Sequence, residues 1–555
     1  MQKHLIIIGG VAAGTKAASK ARREDPDLKI SLYTEEKYIS YSACGLPYYI
    51  SGTIQNEKKL LVRTSEDFKE KEHIDIYLQH RVTRIIPEKK AVMVKNLDMS
   101  EEFEKEYTCL LVATGSSPIM PPLAGINLKN IFKLKSIEDG IKIKQSVKSA
   151  KRAVIVGAGY IGLEMAEAFH ELGIKTTIIE RTSHILSTFD PDMTDQIRTY
   201  LEEEKDLKII TDDSVTGFIG DNKGNLIEIQ TQNGQNIKAD LAVIAVGVKP
   251  NTQIAREAGI KLGKSGAILV NERMQTNYPN IYAAGDCVET INRITNEQTW
   301  VPLGSTANKQ GRVAAINITG GYAEFKGILG SMVVKIFDYT ASKTGLNEKE
   351  AKNFGFNYEI AIVSHRDRSG YMPEAKGIIL KVMADRKTGN FLGIQAIGKG
   401  DADKRVNVIA TAITANMTVE KFIQTDLTYA PPYSSAIDPL LIATQILESK
   451  FKKGIGSISP QNLQKYLEKE KLCCVVDIRN SEEYESWHIE QAKNVLPKDL
   501  ERIVAGENHK NILVCCDKGI DGYLKSLKLK KNGCKNVNFI DGGVNYLKNL
   551  PEYRK

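Results

Sequence analysis

Two glycine-rich turns, each lying between a short apolar strand and a helix, predict an α/β protein with two Rossmann-like domains. From about residue 326 the pattern of strands and helices becomes mixed, which predicts an α+β domain next in the chain. A basic stretch near residue 450 that contains Gly and Ser is typical of a linker. About 100 residues follow it, enough for one small C-terminal α/β domain.

The composition is that of an ordinary globular protein with several domains. The chain has 555 residues, 42% hydrophobic and 26% charged, and at about 150 residues per domain this predicts three or four domains without wholesale disorder. No apolar run approaches the ~20 residues that cross a bilayer, so we expect no membrane partner. Subtracting 68 Asp and Glu from 76 Lys and Arg leaves a net charge of +8, spread along the chain. A nucleic-acid partner is not expected, because a polyanion site concentrates its positive charge.

Cysteine usage predicts a reducing compartment. Eight cysteines in 555 residues are too few for a disulfide scaffold. The chain opens directly into the strand-like run 4–8, which leaves no room for a signal peptide. We therefore expect a cytoplasmic protein, in which an important cysteine acts as a reactive thiol.

The first glycine-rich turn spans residues 9–14 and follows the strand-like run 6–8. Glycines let the backbone approach a pyrophosphate, and the next helix presents free N–H groups at its positive end. An acidic residue ends the following strand, 21 residues beyond the turn, where a carboxylate can bind a ribose hydroxyl. The residues expected to hold a dinucleotide here are Gly9, Gly10, Ala12, Ala13, Gly14 and Glu35.

The second turn spans residues 157–162 and has the same surroundings. Its acidic residue, Glu180, lies 18 residues beyond Gly162. A carboxylate there repels a 2′-phosphate and favours NADH over NADPH, whereas the adjacent Arg181 opposes this preference. The residues expected to bind this second nucleotide are Gly157, Gly159, Tyr160, Ile161, Gly162 and Glu180.

Three further strands end in residues that complete a two-nucleotide pattern. They run into Ala113-Thr114-Gly115, into Gly247 and into Gly285-Asp286. Together with the two turns, this set resembles the flavoprotein disulfide reductases that bind two dinucleotides. The resemblance covers about the first 445 residues and implies FAD at the first turn, NAD(P)H at the second, and contact of Asp286 with the flavin's ribityl and phosphate region. The segment 300–312, which contains Ala307, resembles the part that closes over the flavin.

The resemblance also implies a homodimer and a division of the chain. The expected segments are an FAD-binding domain (1–149 and 249–325), an NAD(P)H-binding domain (150–248), an α+β dimerisation domain (326–447), a linker (448–457) and a C-terminal domain (458–555).

Cys44 follows the first acidic strand in the segment Ser-Tyr-Ser-Ala-Cys-Gly-Leu-Pro-Tyr. The best-known members of the superfamily use two cysteines four residues apart, whereas the next cysteine here, Cys109, lies 65 residues on. The segment is similar to the single-cysteine branch, above all to coenzyme A disulfide reductases and NADH-dependent persulfide reductases, although Ala43 replaces their usual Asn. NADH oxidases and peroxidases belong to the same branch. We expect a reactive thiol beside the flavin rather than a buried structural thiol.

A single redox cysteine requires a mixed intermediate. The Cys44 thiolate attacks the outer sulfur of a disulfide or persulfide, and reduction through the flavin restores the thiolate. The resemblance implies that Tyr371 and Tyr429 reach this site from the partner subunit as hydrogen-bonding acids. Packing into an aromatic core stays open as the alternative, most of all for Tyr433.

Coenzyme A carries phosphates that need basic partners. Related reductases use basic residues of the helix after the first turn. The candidates for substrate binding are therefore Lys20, Arg22 and Arg23, together with Ser40 and Tyr433. A solvated helix face is the alternative for the three basic residues.

The segment after the linker resembles a single rhodanese domain, through its Asp-x-Arg, Tyr…His-Ile and Gly-Gly stretches. The resemblance places a catalytic loop at 516–521, in which Cys516 comes first and Asp521 replaces the usual Arg. We expect Asp517 and Asp521 to raise the pKa of the Cys516 thiol and to disfavour anionic sulfur, an effect that Lys518 partly offsets. Two interpretations stay open: Cys516 carries sulfur, or the domain is inert and serves in docking.

These observations predict an FAD-dependent, NAD(P)H-consuming reductase of coenzyme A persulfide, polysulfide and disulfide. The alternatives are a plain coenzyme A disulfide reductase for thiol homeostasis, or an NADH oxidase, with the C-terminal domain a binding or sensing module. No metal site is predicted.

Overall fold

A computed structural model describes residues 3–470, 473–500, 511–550 and 553. Part of the predicted C-terminal domain at 458–555 therefore lies outside the described residues. The chain forms two compact units, residues 1–181 with 213–328 and residues 182–212 with 329–555. Among the described residues, no helix has the length and apolar character needed to span a bilayer.

The helices of the described residues are α1 (Ala12–Glu24), α2 (Leu46–Ser51), α3 (Ser65–Glu72), α4 (Ile137–Ser146), α5 (Tyr160–Glu171), α6 (Pro191–Glu204), α7 (Gln253–Glu257), α8 (Gly304–Ile318), α9 (Glu348–Asn353), α10 (Ala402–Thr414), α11 (Val419–Phe422), α12 (Pro439–Lys453), α13 (Pro460–Lys469), α14 (Ser481–Ser486), α15 (Ile520–Lys531) and α16 (Gly543–Leu547).

The strands are β1 (His4–Ile8), β2 (Lys29–Tyr33), β3 (Asp75–Tyr77), β4 (His80–Ile86), β5 (Ala91–Asn96), β6 (Glu102–Glu106), β7 (Cys109–Val112), β8 (Ser116–Pro118), β9 (Ile131–Phe132), β10 (Arg152–Val156), β11 (Lys175–Ile179), β12 (Lys208–Ile210), β13 (Val215–Gly220), β14 (Leu226–Thr231), β15 (Asn236–Lys238), β16 (Leu241–Ile244), β17 (Val248–Pro250), β18 (Ile281–Ala283), β19 (Thr290–Ile291), β20 (Gln298–Thr299), β21 (Met332–Ile336), β22 (Tyr339–Gly345), β23 (Tyr358–Arg366), β24 (Gly377–Asp385), β25 (Phe391–Gly398), β26 (Gly456–Ile458), β27 (Cys473–Asp477), β28 (Lys493–Asn494), β29 (Asn511–Cys515) and β30 (Val537–Ile540).

The first sheet of the first unit is parallel, with strand order β18-β7-β1-β2-β3. Its central strand β1 is apolar on both faces because both faces are covered. Leu5 and Ile7 belong to the core formed with α1 and α8, and Ile6 and Ile8 belong to the core formed with the antiparallel sheet β4-β5-β6. The carboxyl end of β1 therefore leads from a rigid core into the first glycine-rich turn.

The second parallel sheet repeats this arrangement. Strand β10 lies between β11 and β16, and Val156 at its end pairs with Ile179. The three-stranded sheet β13-β14-β15 contributes to the adjoining core. Strands β8 and β17, which connect the two Rossmann-like parts, pair with each other in antiparallel register.

The second unit contains an antiparallel sheet of order β21-β22-β25-β24-β23 and a parallel sheet of order β26-β30-β29-β27-β28. It also includes α6, although the sequence places residues 182–212 within the NAD(P)H-binding segment. A buried cluster of charged side chains explains why α6 belongs to the second unit. Lys381 of β24 lies 2.9 Å from Asp192 at the start of α6, 3.0 Å from Asp190 and 2.5 Å from Glu348.

Candidate active site

Both predicted glycine-rich turns are tight cradles with no room for side chains at their closing glycines. A Cβ on Gly14 would lie 1.9 Å from the carbonyl oxygen of Gly9, and a Cβ on Gly162 would lie 2.0 Å from that of Gly157. Neither α1 nor α5 has an acidic residue in its first turn. The free N–H groups of each helix thus face a cradle without competing charge, which fits a dinucleotide pyrophosphate.

Glu180 lies at the second turn. Its Oε2 accepts a hydrogen bond of 2.8 Å from the backbone N–H of Ala158. This places the carboxylate at the end of β11 beside the cradle, where a ribose hydroxyl can bind it.

The first turn differs at the equivalent position. Gly9 N–H donates to the Tyr33 carbonyl as Gly157 N–H donates to the Ile179 carbonyl, so Thr34 occupies the place that Glu180 has in the second turn. Glu35 is one residue farther along, exposed and paired with Arg81 at 2.6 Å. Ribose binding by Glu35 therefore stays a prediction, and the register assigns the equivalent position to buried Thr34.

The other predicted flavin-site residues lie in segments that meet the first turn. Gly285 approaches both α1 and α8, since a Cβ there would lie 3.0 Å from the Ala13 Cβ and 3.6 Å from the Ala307 Cβ. Asp286 accepts a hydrogen bond of 3.0 Å from Ser116 Oγ, and Lys135 Nζ lies 4.0 Å from the same carboxylate. The connecting residues are fixed by hydrogen bonds: Ala113 N–H to Ile8 O, Thr114 Oγ1 to Asn251 O, Asn251 N–H to Gly115 O, and Ile119 N–H to Gly247 O.

Cys44 is exposed and lies in a short 3₁₀ turn that leads into α2. The segment before it is tied to the first turn, because Ser40 N–H donates to the Gly10 carbonyl at 2.8 Å. Ser42 N–H donates to the Leu60 carbonyl at 2.9 Å, and Val62 N–H donates to the Ser40 carbonyl at 2.7 Å. Ser40 is buried, and its backbone has a left-handed conformation with φ 52°. Its backbone hydrogen bonds hold the cysteine segment against the cradle.

The charged groups around Cys44 shift the pKa of its thiol in opposite directions. Although the residue is exposed, the protein atoms around its thiol partly desolvate it and raise its pKa; the carboxylates of Glu164 and Asp286 raise the pKa further, whereas the ammonium of Lys135 lowers it. Burial, with a smaller contribution from Glu167, raises the pKa of Glu164 itself to about 7. Sequence reasoning missed both Glu164 and Lys135. The signal for Glu164 was a carboxylate two residues after Gly162 in a mostly apolar run, and α5, which carries it, packs against α2, the helix that follows Cys44.

The three basic residues of α1 differ in their surroundings. Lys20 is paired with Glu24 one turn on. Arg22 donates to the backbone carbonyls of Glu72 at 2.8 Å and of His73 at 2.9 Å, which anchors the end of α1. Arg23 is exposed. Coenzyme A binding by these residues stays a prediction.

The three predicted tyrosines lie on the surface of the second unit. Tyr371, Tyr429 and Tyr433 are 74%, 50% and 69% exposed, so none is a core residue of the chain. Their two segments adjoin, because Ser369 Oγ donates to the Ser434 carbonyl at 3.4 Å. The sequence alternative of aromatic core packing is therefore wrong for this chain.

Cys516 directly follows the strand β29 and lies inside a backbone cradle. Its side chain is almost fully buried, and its Sγ accepts hydrogen bonds of 3.1 Å from the N–H groups of Gly519 and Gly522. Burial raises the pKa of the Cys516 thiol to about 11, the N–H groups lower it, and Asp521 raises it further. The predicted upward direction is confirmed, although burial and not the carboxylate is the main cause.

Comparison with known proteins agrees with this architecture. Residues 3–311 match the pyridine nucleotide-disulphide oxidoreductase family, residues 331–440 its dimerisation domain, and residues 459–550 a rhodanese-like domain. The chain therefore belongs to the pyridine nucleotide-disulphide oxidoreductase family, whose members depend on FAD and NAD(P)H.

Curated relatives cover the first four-fifths of the chain. The chain is 37% identical over 451 residues to the NAD(P)H sulfur oxidoreductase (CoA-dependent) of Pyrococcus abyssi, with 81% of this chain and 99% of the relative covered. It is 32% identical over 437 residues to the coenzyme A disulfide reductase of Staphylococcus epidermidis, with 78% and 97% covered.

Solved structures resemble the whole chain, including its C-terminal domain. Reduced Bacillus anthracis CoADR-RHD has a TM-score of 0.96 and 32% identity, and covers 100% of this chain and 99% of its own. The NAD-dependent persulfide reductase from A. fulgidus has a TM-score of 0.91 and 35% identity, with 98% and 99% covered.

Proposed function

We propose that this protein reduces coenzyme A persulfide, polysulfide and coenzyme A disulfide at Cys44, in a homodimer. The observation that carries the proposal is the exposed thiol of Cys44 in a segment fastened to the first dinucleotide cradle. The names of the relatives supply the substrate class, since they include coenzyme A-dependent sulfur and disulfide reductases.

The chemistry begins with the Cys44 thiolate. Attack on the outer sulfur of coenzyme A persulfide forms Cys44–S–SH and expels the coenzyme A thiolate; with the disulfide, the product is the mixed disulfide of Cys44 and coenzyme A. FAD, which the cradle of Gly9 and Gly14 and the carboxylate of Asp286 would hold, would supply the electron pair taken as hydride from NADH. With these two electrons, Cys44 leaves the new S–S bond as its thiolate, and hydrosulfide or the second coenzyme A thiolate is released. The ammonium of Lys135 favours the Cys44 thiolate that starts and ends the cycle, whereas the carboxylate of Glu164, whose own pKa burial raises to about 7, disfavours it when ionised.

In a homodimer, the exposed tyrosines of one subunit can act at the active site of the other. Tyr371 and Tyr429 project from adjoining segments of the dimerisation domain, and each phenol can donate a hydrogen bond to the leaving thiolate in the partner's site. The match of residues 331–440 to a dimerisation domain supports this arrangement.

Cys516 is proposed as a sulfur carrier for Cys44. The N–H cradle around its sulfur supports this role despite Asp521, because two backbone donors stabilise an anionic sulfur. Its burial and raised pKa favour the second candidate, a plain coenzyme A disulfide reductase with an inert docking domain.

The test is anaerobic NADH oxidation by the purified holoenzyme, offered coenzyme A persulfide and coenzyme A disulfide in parallel. Cys44→Ser should abolish turnover of both, and Cys109→Ser, which removes a half-buried thiol on β7, should leave it unchanged. Preference for the persulfide with release of sulfide supports the first proposal, and preference for the disulfide supports the second. Activity that survives Cys44→Ser would contradict both.

A further inference from the structure

A buried lysine joins the dimerisation domain to the rhodanese-like domain. Lys450 lies in the last turn of α12, and its side chain is fully buried. Its Nζ donates to Asp541 Oδ2 at 2.9 Å and to the Ile360 carbonyl at 2.5 Å, with Glu359 Oε1 at 3.5 Å. Ser457 Oγ donates to the same Asp541 oxygen at 2.6 Å. Neither charge of this pair is left unpaired in the interior, so removing one of them alone is costly.

Asp541, the carboxylate of this pair, is the first residue of a segment that packs against the backbone of the Cys516 loop. Val544 N–H donates to the Cys516 carbonyl at 2.8 Å, and Asn545 N–H donates to the Asp517 carbonyl at 3.0 Å. The backbones meet without side chains between them, because a Cβ on Gly543 would lie 2.6 Å from the Asp517 carbonyl oxygen. A displacement of Asp541 is thus passed directly to the loop.

The same segment is fastened to the edge of the dimerisation sheet. Gly542 N–H donates to the Ile362 carbonyl of β23 at 3.1 Å, and Ser364 Oγ donates to the Gly542 carbonyl at 3.2 Å. Strand β23 is the last strand of its sheet, so the first of these bonds uses a backbone carbonyl that an edge strand leaves open, and the second uses a serine side chain of the same strand. The support of the loop is built partly from another domain.

We propose that Lys450 is a positioning residue for Cys516. Through Asp541 it holds the loop in the conformation that directs the Gly519 and Gly522 N–H groups at the Cys516 sulfur. The inference deepens the proposed function, because its consequence for sulfur transfer rests on Cys516 being a carrier. It also implies that these contacts hold the rhodanese-like domain in one position against the dimerisation domain.

The test is amide hydrogen exchange of the full-length holoenzyme, followed in the peptide that contains residues 516–524. Lys450→Met should raise exchange at this peptide about tenfold, because the local opening of the loop no longer breaks a buried ion pair. Lys450→Arg keeps the charge and should restore exchange to within about twofold of the wild type. Lys452→Met is the matched control, since Lys452 lies on the same helix and is exposed.

Two outcomes would overturn the proposal. One is unchanged exchange of the loop peptide in Lys450→Met. The other is an equal rise in every strand of the rhodanese-like domain, which would show a general stabilising role. If Lys450→Met does not fold, the double variant Lys450→Met/Asp541→Asn buries no unpaired charge and should show the same selective opening of the loop.

Sulfur transfer is then measured by the mass of the peptide that carries Cys516 after exposure to coenzyme A persulfide. Lys450→Met should load sulfur about tenfold more slowly than wild type, and Lys452→Met at the wild-type rate. If the wild-type Cys516 takes up no sulfur, the carrier role fails while the exchange result still decides the positioning role of Lys450. Wild-type loading with unchanged loading in Lys450→Met would overturn the positioning role.

Discussion

At the scale of single residues, the carboxyl group of Glu164, which acts on the Cys44 thiol, has a pKa far above its ordinary value. Burial raises its pKa from 4.5 to about 7, so the folded protein binds this proton more tightly than the unfolded chain does. The resulting destabilisation is absent below the unfolded pKa, grows as the pH rises toward about 7, and is complete above it, where it amounts to up to about 3 kcal/mol.

Glu164→Gln removes this titration. We expect the variant to gain stability relative to wild type at about pH 8 and to gain little at about pH 5. Denaturant unfolding of the holoenzyme at the two pH values measures the difference. Glu171→Gln is the control, because Glu171 is exposed on the same helix. An equal effect at both pH values would contradict the raised pKa.

At the scale of elements, the close packing of α1 on α8 fixes the first cradle. Gly311 of α8 permits it, since a Cβ there would lie 2.4 Å from the Ala13 carbonyl oxygen. Ala13 lies in the cradle that we expect to hold FAD. A change in the distance between these helices therefore moves backbone groups of the cofactor site.

Gly311→Ala should push α1 away from α8. We expect a loss of about 2 kcal/mol in the free energy of unfolding and a lower fraction of bound flavin after purification. Gly304→Ala on the same helix meets no atom within 4 Å and should retain both properties. The ratio of flavin to protein absorbance and a denaturant melt measure the two effects. Equal behaviour of both variants would contradict the packing argument.

At the scale of the whole molecule, we propose that a second subunit completes the active site. Cys44 and the exposed tyrosines then come from different chains at each site. Co-expression of a Cys44→Ser chain with a Tyr371→Phe/Tyr429→Phe chain tests this directly, because a mixed dimer contains one site with both wild-type groups.

Random mixing should restore about a quarter of the wild-type activity, since half of the dimers are mixed and each has one complete site. The two variants purified separately should each have little activity. NADH oxidation by the unfractionated mixture of dimers gives this result, and mixed dimers isolated through different tags on the two subunits should have about half of the wild-type activity. No gain over the separate variants would contradict the shared site.

Local patterns were enough to predict much of this protein. The two glycine-rich turns were found because a pyrophosphate cradle requires glycine at fixed spacings, and these requirements act within about 30 residues. Glu180 was expected at the second turn, where its carboxylate accepts a hydrogen bond from Ala158 N–H, because β11 follows α5 directly in the chain; its contact with a ribose stays a prediction. Cys44 and Cys516 were found because each lies in a short segment with family-specific neighbours.

Three features of the sites depend on contacts between distant parts of the chain. Glu35 was predicted as a ribose ligand from the sequence, and only the pairing of β1 with β2 shows that Thr34, one residue earlier, has the position equivalent to Glu180. Glu164 was missed because its position next to Cys44 depends on the packing of α5 against α2. Asp521 was given too much weight at Cys516, because burial of the thiol cannot be read from the loop sequence.

The sequence by itself determined the α/β class, the two glycine-rich cradles, the segment that carries Cys44 and the C-terminal rhodanese-like domain. Only the tertiary structure decided which charges face the thiols, why residues 182–212 join the second unit through Lys381, and how Lys450 reaches Asp541. The reason is that backbone conformation follows from neighbours along the chain. Electrostatic and packing contacts join residues far apart in sequence, and their distances exist only after the chain has folded.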